Sequence, residues 1–304
     1  MALGGSVLAF LVAVLGSWVR INGAGLTCPD WPLCRGAVVP ALHGGVVLEW
    51  AHRAGVLLVT LLVIATLVQG WPLRRSVAGL GPALASLPIV LGVQIALGGA
   101  TVLLGNSPLS VMLHWAAGMT LFAAFTALAV LSSARKPSGS AWRLGDPVAL
   151  SLAAAAFFAF VTMSAGAYVG SSFAGLACTT FPACDGSLLG ATDPQRLQMF
   201  HRLAAGTLGA FALLAAVLAF ARAQQSVRIA TGCALALVTF QVVLGALNVA
   251  LSLPVELRAL HAANASLVFV AFVVAALLAA LEAPAECAIV EPVAIAAREA
   301  ASAP

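Results

Sequence analysis

Apolar residues gather along this chain in eight stretches, at approximately 2 to 19, 46 to 70, 79 to 104, 109 to 132, 147 to 170, 199 to 221, 229 to 251 and 259 to 281. A bilayer core needs roughly 20 apolar residues per helix, so each stretch predicts a membrane span. Turn and charge signals separate them, among them Trp71-Pro72-Leu73-Arg74-Arg75, Gly105-Asn106-Ser107-Pro108, Arg135-Lys136-Pro137-Ser138-Gly139 and Ser252-Leu253-Pro254. The first run lacks the basic leader of a signal peptide and is long for one, so it reads as a true span. Residues 282 to 304 carry four glutamates and one arginine and read as a disordered cytoplasmic tail.

Composition agrees with this pattern. The chain is 62% hydrophobic and 8% charged, against about 25% charged in a soluble domain, which excludes a water-soluble globular protein. Its net charge of +4 includes one lysine, Lys136, and no basic run, so nucleic acid is not an expected partner. Arg74, Arg75, Arg135, Lys136, Arg143, Arg222 and Arg228 follow the second, fourth and sixth spans, which places those loops in the cytoplasm. The longer loops around 20 to 45 and 171 to 198 then face the exterior of an inner (cytoplasmic) membrane.

The two halves of the chain match. Gly25-Leu26-Thr27-Cys28-Pro29-Asp30-Trp31-Pro32-Leu33-Cys34-Arg35-Gly36 aligns with Gly175-Leu176-Ala177-Cys178-Thr179-Thr180-Phe181-Pro182-Ala183-Cys184-Asp185-Gly186 at an offset of 150. His52-Arg53 aligns with His201-Arg202 at 149, and Gln94 with Gln241 and His114 with His261 at 147. Four spans per half make the repeat parallel, with a pseudo-twofold axis along the membrane normal. The expected architecture is two four-helix bundles, residues 1–137 and 138–281, followed by the tail.

Four of the five histidines lie in the repeat, within about the first six residues of the even-numbered apolar runs, hence at similar depth. His52 would face His114 in one bundle, and His201 would face His261 in the other. Two facing imidazoles per bundle suit bis-histidine ligation of a haem, whereas zinc or copper asks for more ligands. A hydrogen bond to a neighbouring helix is the alternative role for each ring. Arg53 and Arg202 suit haem propionates or snorkel to lipid headgroups. Gly98, Gly99, Gly118, Gly206 and Gly209 let helices or a flat macrocycle approach.

The halves differ beside the first histidine: Glu49 precedes His52 by three residues, on one helix face, and Gln198 precedes His201. A carboxylate beside a haem can accept a proton or stabilise positive charge, and an amide cannot. This predicts an active first half and a structural or electron-transferring second half, unless Glu49 only marks a helix start. Cys28 with Cys34 and Cys178 with Cys184 are spaced for a disulfide in each exterior loop, and a redox-active pair remains open for Cys28 and Cys34. Cys233 is expected to be buried in a helix, Cys287 to be incidental, and His43 to lie on the surface.

The loop motif from Asn22 to Cys34, Glu49-x-x-His52-Arg53, His114, His201-Arg202 and His261 together resemble the haem A synthases, the CtaA-type membrane enzymes, and this chain is similar to their cysteine-bearing subtype. The resemblance covers about residues 5 to 281. It implies an eight-helix oxidoreductase that oxidises the C8 methyl of haem O, through an alcohol, to the formyl of haem A for terminal oxidase biogenesis. It further implies that His52 and His114 hold the substrate haem beside catalytic Glu49, and that His201 and His261 hold a haem B cofactor. A haem O synthase would be the upstream partner, the substrate would enter from membrane lipid, and the electron acceptor is not identified. Two other readings use the same histidines: a di-haem, quinone-linked electron-transfer cytochrome, and a transporter with a parallel repeat.

Overall fold

The computed structural model describes residues 1–140 and 142–282 and is entirely helical in its regular elements. Eight helices follow one another: α1 Ala2–Ile21, α2 Gly45–Gly70, α3 Leu80–Leu103, α4 Pro108–Ala134, α5 Pro147–Ser171, α6 Asp193–Arg222, α7 Gln225–Ala250 and α8 Val255–Leu281. All eight are long and apolar enough to cross a membrane. The expected tail lies outside the described residues except for Glu282, which is ordered: its carboxylate accepts the Gln224 N–H at 2.9 Å.

Helices α6, α7 and α8 begin four to six residues before their apolar runs do, because their first turns are polar, and at α6 the start is set by a capping arrangement. Thr192 precedes Asp193-Pro194-Gln195, and Gln195 Oε1 accepts the backbone N–H groups of Ala191 and Thr192 at 3.0 and 3.3 Å. The chain therefore enters α6 six residues earlier than hydropathy suggests, with proline in the first turn where its missing N–H costs nothing. Asp146 similarly caps α5, accepting from Val148 N–H at 2.9 Å.

In the first half α1 packs on α2 and α4, and α3 on α2 and α4; in the second α5 packs on α6 and α8, and α7 on α6 and α8. The seam joins α1 to α8, α4 to α5 and α4 to α8. Renumbering each helix by its partner in the other half converts the first of these contacts into the second and leaves the third unchanged. Phe125, Phe272, Leu152 and Met119 are fully buried in the continuous core. Buried alanines such as Ala155 and Ala159 on α5 and Ala212, Ala215 and Ala219 on α6 allow close backbone approach where no hydrophobic force draws helices together. At one end the 135–146 connection is strapped to α8, through Lys136 Nζ on Leu281 O at 3.1 Å and Arg143 N on Ala280 O at 2.9 Å.

Each of the long loops at the opposite end closes on a disulfide, Cys28–Cys34 and Cys178–Cys184. The two loops share one turn. Cys34 N–H donates to Ala37 O at 2.9 Å and Cys184 N–H to Ser187 O at 2.8 Å. Arg35-Gly36 and Asp185-Gly186 all adopt positive φ, which explains glycine as the second residue of each pair. His43 is exposed as expected. Cys233, the free cysteine among the described residues, is exposed rather than buried: α7 lies at the edge of the bundle, and an apolar solvent places no penalty on an outward thiol.

Candidate active site

The four histidines occupy the seventh to ninth residues of their helices, about two turns in from the cysteine-loop end; His201 and His261 sit deeper than their apolar runs suggest, because polar first turns precede those runs. Each ring packs against a glycine of a neighbouring helix. A Cβ on Gly16 would stand 2.8 Å from His52 Cε1, on Gly166 2.9 Å from His201 Cε1, on Gly98 3.0 Å from His114 Cε1 and on Gly245 3.4 Å from His261 Cε1.

Hydrogen bonding fixes how two of these rings are presented. His52 Nδ1 lies 3.1 Å from Val12 O, and His201 Nδ1 lies 2.9 Å from Thr162 O. A carbonyl only accepts, so Nδ1 carries the proton in both and Nε2 keeps its lone pair, the arrangement typical of a ligating histidine. His261 reaches the same tautomer differently: Gln241 Nε2 donates to its Nε2 at 3.2 Å, leaving Nδ1 buried and unpartnered. His114 Nδ1 is likewise buried without a partner.

His52 and His114 face each other with ring centroids 6.4 Å apart and planes at 85°. Two imidazoles bound to opposite sides of one metal, each at about 2 Å, have centroids roughly 6 to 6.5 Å apart, so the pair has the spacing that a single axially ligated iron requires. Among the described residues no three of His, Cys, Asp and Glu converge; a site with two protein ligands fits a metal whose other ligands come from a macrocycle. His261 lies close enough to His201 for their charges to interact.

Glu49, His52 and His114 line one cavity of about 380 Å³, with Gln94, Arg20 and Trp31. A second cavity, between α2 and α3 at the far end, is lined by Leu67, Val68, Trp71, Pro72, Ala85 and Pro88 and offers no ionisable side chain. Glu49 is buried and fully engaged: Oε1 accepts Arg53 Nη2 at 2.7 Å, and Oε2 accepts Cys28 N–H at 2.9 Å and Thr27 Oγ1 at 3.0 Å. The disulfide loop thus holds the carboxylate in place. Gln198, at the matching position, donates to Gly175 O at 3.3 Å while its Oε1 is buried without a partner.

Arg53 lines the same cavity as Glu49, and the donors of Arg53 and Arg202, the expected propionate contacts, reach into their own cysteine loops. Arg53 donates to the carbonyls of Asp30 and Cys28, each at 2.8 Å, and to Leu33 O, besides Glu49. Arg202 donates to Thr180, Pro182, Ala183 and Cys178 carbonyls. A planar fork with five donors suits this work, and both guanidiniums act as clamps on their own cysteine loops. Of the singled-out glycines, Gly98 touches His114, Gly99 the Trp31 ring and Gly118 the Gln94 amide, whereas Gly206 and Gly209 face open space.

Sequence reasoning missed Gly16 and Gly166, although they align at the same offset of 150 as the cysteines. It also missed a contrast at the glutamines. Asn264 Nδ2 donates to Gln241 Oε1 at 2.8 Å, while the corresponding Ala117 leaves Gln94 Oε1 buried and unpartnered in the cavity.

A family model described as cytochrome oxidase assembly protein, COX15-CtaA, matches residues 1–46 and 43–273. The chain is similar to the heme A synthase of Geobacillus thermodenitrificans, 28% identical over 271 residues covering 87% of this chain and 86% of the relative. It is 30% identical over 276 residues to that of Bacillus cereus (strain G9842), covering 86% and 87%. It is 28% identical over 238 residues to that of Bacillus licheniformis, covering 77% and 79%.

Proposed function

Because the chain belongs to the COX15-CtaA family of cytochrome oxidase assembly proteins, we propose that it is a haem A synthase, an enzyme that converts haem O to haem A. The observation that carries this reading is the facing pair His52 and His114 in one cavity with the buried carboxylate of Glu49.

In this reading residues 1–137 form the substrate half, in which His52 and His114 would hold haem O, and residues 138–281 form a cofactor half, in which His201 and His261 would hold a haem B. Haem iron, when bound, supplies the redox chemistry and relays electrons to an acceptor. The chain's own residues do the rest. Val12 O and Thr162 O hold the Nδ1 protons of His52 and His201, so that each Nε2 is offered to iron. Each of the two oxidations, methyl to alcohol and alcohol to hydrated aldehyde, adds the oxygen of one water and gives up two electrons to the acceptor and two protons; Glu49 is placed to take one of those protons, and Arg53, Thr27 and the Cys28 N–H fix its carboxylate. Arg53 acts here as a positioning residue. The cysteine loops are extracytoplasmic, since the seven cations of the opposite loops mark the cytoplasmic side. A farnesylated haem from a haem O synthase would enter from the lipid.

The test is chromatography of haems extracted from a host lacking haem A that expresses this chain with a haem O synthase. Haem A or its alcohol precursor is the expected product. Only haem B and haem O, with haem still bound to the purified protein, would make it an electron-transfer cytochrome; no bound haem would leave a transporter.

A further inference from the structure

Two arginines at the seam between the halves have no counter-ion among the described residues. Arg20 closes α1 and Arg258 lies in the first turns of α8, two helices that pack on each other. Both are half-buried, and they lie near enough for their charges to interact. Neither guanidinium makes a hydrogen bond or an ion pair with any described residue. The carboxylates of this end are committed elsewhere or turned away. Glu49 is bound to Arg53, Asp30 to the N–H groups of Arg35 and Gly36, Asp185 to Thr179 and Asp193 to Arg196. Glu256 is exposed, two residues from Arg258 and off its face. Adjacent cations inside a membrane bundle are costly without an anion, and the described residues provide none, so the site is built for an added one.

Position identifies the anion. Gly16 packs on His52, and Arg20 follows four residues later on the same face of α1, about one turn nearer the cysteine-loop end. Arg258 precedes His261 by three residues, again one turn toward that end on the ligand's own face. Arg20 lines the His52–His114 cavity, its Nη atoms also lying 3.3 Å from where a Cβ on Gly170 would stand. Each arginine therefore stands one turn beyond an axial-ligand candidate, where the edge of a macrocycle ligated at that depth comes. The pseudo-symmetric positions hold Gly170 and Val111, so the pair occurs once, on one side of the axis.

We propose that Arg20 and Arg258 form a carboxylate-binding dyad that takes porphyrin propionates, Arg20 from the ring in the first half and Arg258 from the ring in the second. This rests on the haem reading above and adds these two residues to the propionate contacts expected of Arg53 and Arg202. It also places the charged edges of the two rings against one another at the α1–α8 seam.

The test uses the full-length protein made under haem limitation and titrated with haem B or with haem B dimethyl ester, which keeps the iron and ring and lacks the carboxylates. The wild type is expected to bind haem B about tenfold to a hundredfold more tightly than the ester, the worth of a charge-assisted hydrogen bond or two. Arg20→Gln and Arg258→Gln should each reduce that preference, and the double variant should abolish it. Arg20→Lys, which keeps the charge, should retain most of it and so separates charge from misfolding. Equal binding of haem and ester by the wild type would overturn the dyad and leave a lipid phosphate as its anion. A preference that survives the double variant would overturn it too, returning propionate binding to other cations. Failure to bind either compound would instead overturn the haem reading itself.

Discussion

Residues 1–137 and 138–281 hold their histidines in the same way and surround them differently. His52 and His201 are anchored by carbonyls 150 residues apart in sequence, Val12 and Thr162, and press on glycines separated by the same offset, Gly16 and Gly166. Around this shared frame the first half has a buried carboxylate, a glutamine with a free buried oxygen and two arginines, Arg20 and Arg53, lining the cavity. The second half has Gln198, a glutamine pinned by Asn264, and Gly170. The halves thus share a histidine frame and differ in charge: the first places a carboxylate and its arginine partner beside the histidines, and the second has the neutral Gln198, whose Oε1 is also buried without a partner.

The sharpest way to break this comparison is to make the first half resemble the second. Glu49→Gln removes an acceptor that the Cys28 N–H and Thr27 hydroxyl now use and reproduces Gln198. Haem A formation is expected to fall by roughly 10² to 10⁴, the span of a lost general acid or base, with bound haem retained. Gln198→Glu should leave haem A formation near its wild-type level. Extracted-haem chromatography with a pyridine haemochrome assay reads both, and unchanged haem A yield in Glu49→Gln would remove the proton-transfer role.

The glycine contacts give a smaller effect. Gly16→Ala and Gly166→Ala put a methyl 2.8 and 2.9 Å from an imidazole carbon, so each ring must shift off its carbonyl anchor. Overpacking of this kind costs about 1 to 3 kcal/mol, so each variant should lose haem from its own half by about tenfold or more, equally in the two halves. Gly98→Ala, at 3.0 Å, should weaken its site more than Gly245→Ala, at 3.4 Å, where the added methyl makes ordinary contact. Equal loss from the last pair would show that the second histidines are held alike despite Gln241.

Ala117→Asn sharpens the contrast at the glutamines. The new amide would pin Gln94 as Asn264 pins Gln241. A single interhelical hydrogen bond in a membrane is worth about 0.6 to 1.7 kcal/mol, so turnover should drop severalfold with haem content unchanged. Turnover equal to wild type would mean that the free Gln94 oxygen takes no part in the reaction.

Helix number and order and the pairing of His52 with His114 were legible because hydropathy, the repeat and histidine chemistry each leave a strong mark on the sequence. The start of α6 was not, since Asp193-Pro194-Gln195-Arg196 is polar and the capping arrangement depends on backbone donors that hydropathy ignores. Gly16, Gly166 and Ala117 carry no functional group and were visible only by extending the repeat alignment past its chemical landmarks. The loop contacts of Arg53 and Arg202 were not legible, because an arginine beside a histidine suits a propionate or a carbonyl-rich loop equally well in sequence, and only the fold of the cysteine loop brings three or four carbonyls to each. Arg20 and Arg258 were obscured for the opposite reason: neither has a counterpart, and their proximity arises from the α1–α8 contact.

The mildest effect separates the two cysteine loops. Asp30 is held below the ordinary carboxylate range chiefly by the Gly36 N–H, assisted by Arg35 N–H, whereas Asp185 is held down chiefly by the Thr179 hydroxyl. Both are depressed in the folded state, so their contribution to stability is present above the unfolded value of about 3.9 and is lost as pH falls through the lower folded value. Asp30→Asn and Asp185→Asn should therefore each lower the thermal midpoint slightly at neutral pH and match the wild type near pH 2, both carboxyls being solvent-exposed and screened. Thr179→Val should reproduce most of the Asp185→Asn effect, because it removes the principal donor. No side-chain substitution removes the Gly36 donor, so the first loop should keep its acid profile in every variant that retains Asp30. Thermal scans between pH 2 and 7 would read these differences, and an offset that persisted at pH 2 would show that the loops depend on the shape of the Asp30 and Asp185 turns rather than on their charge.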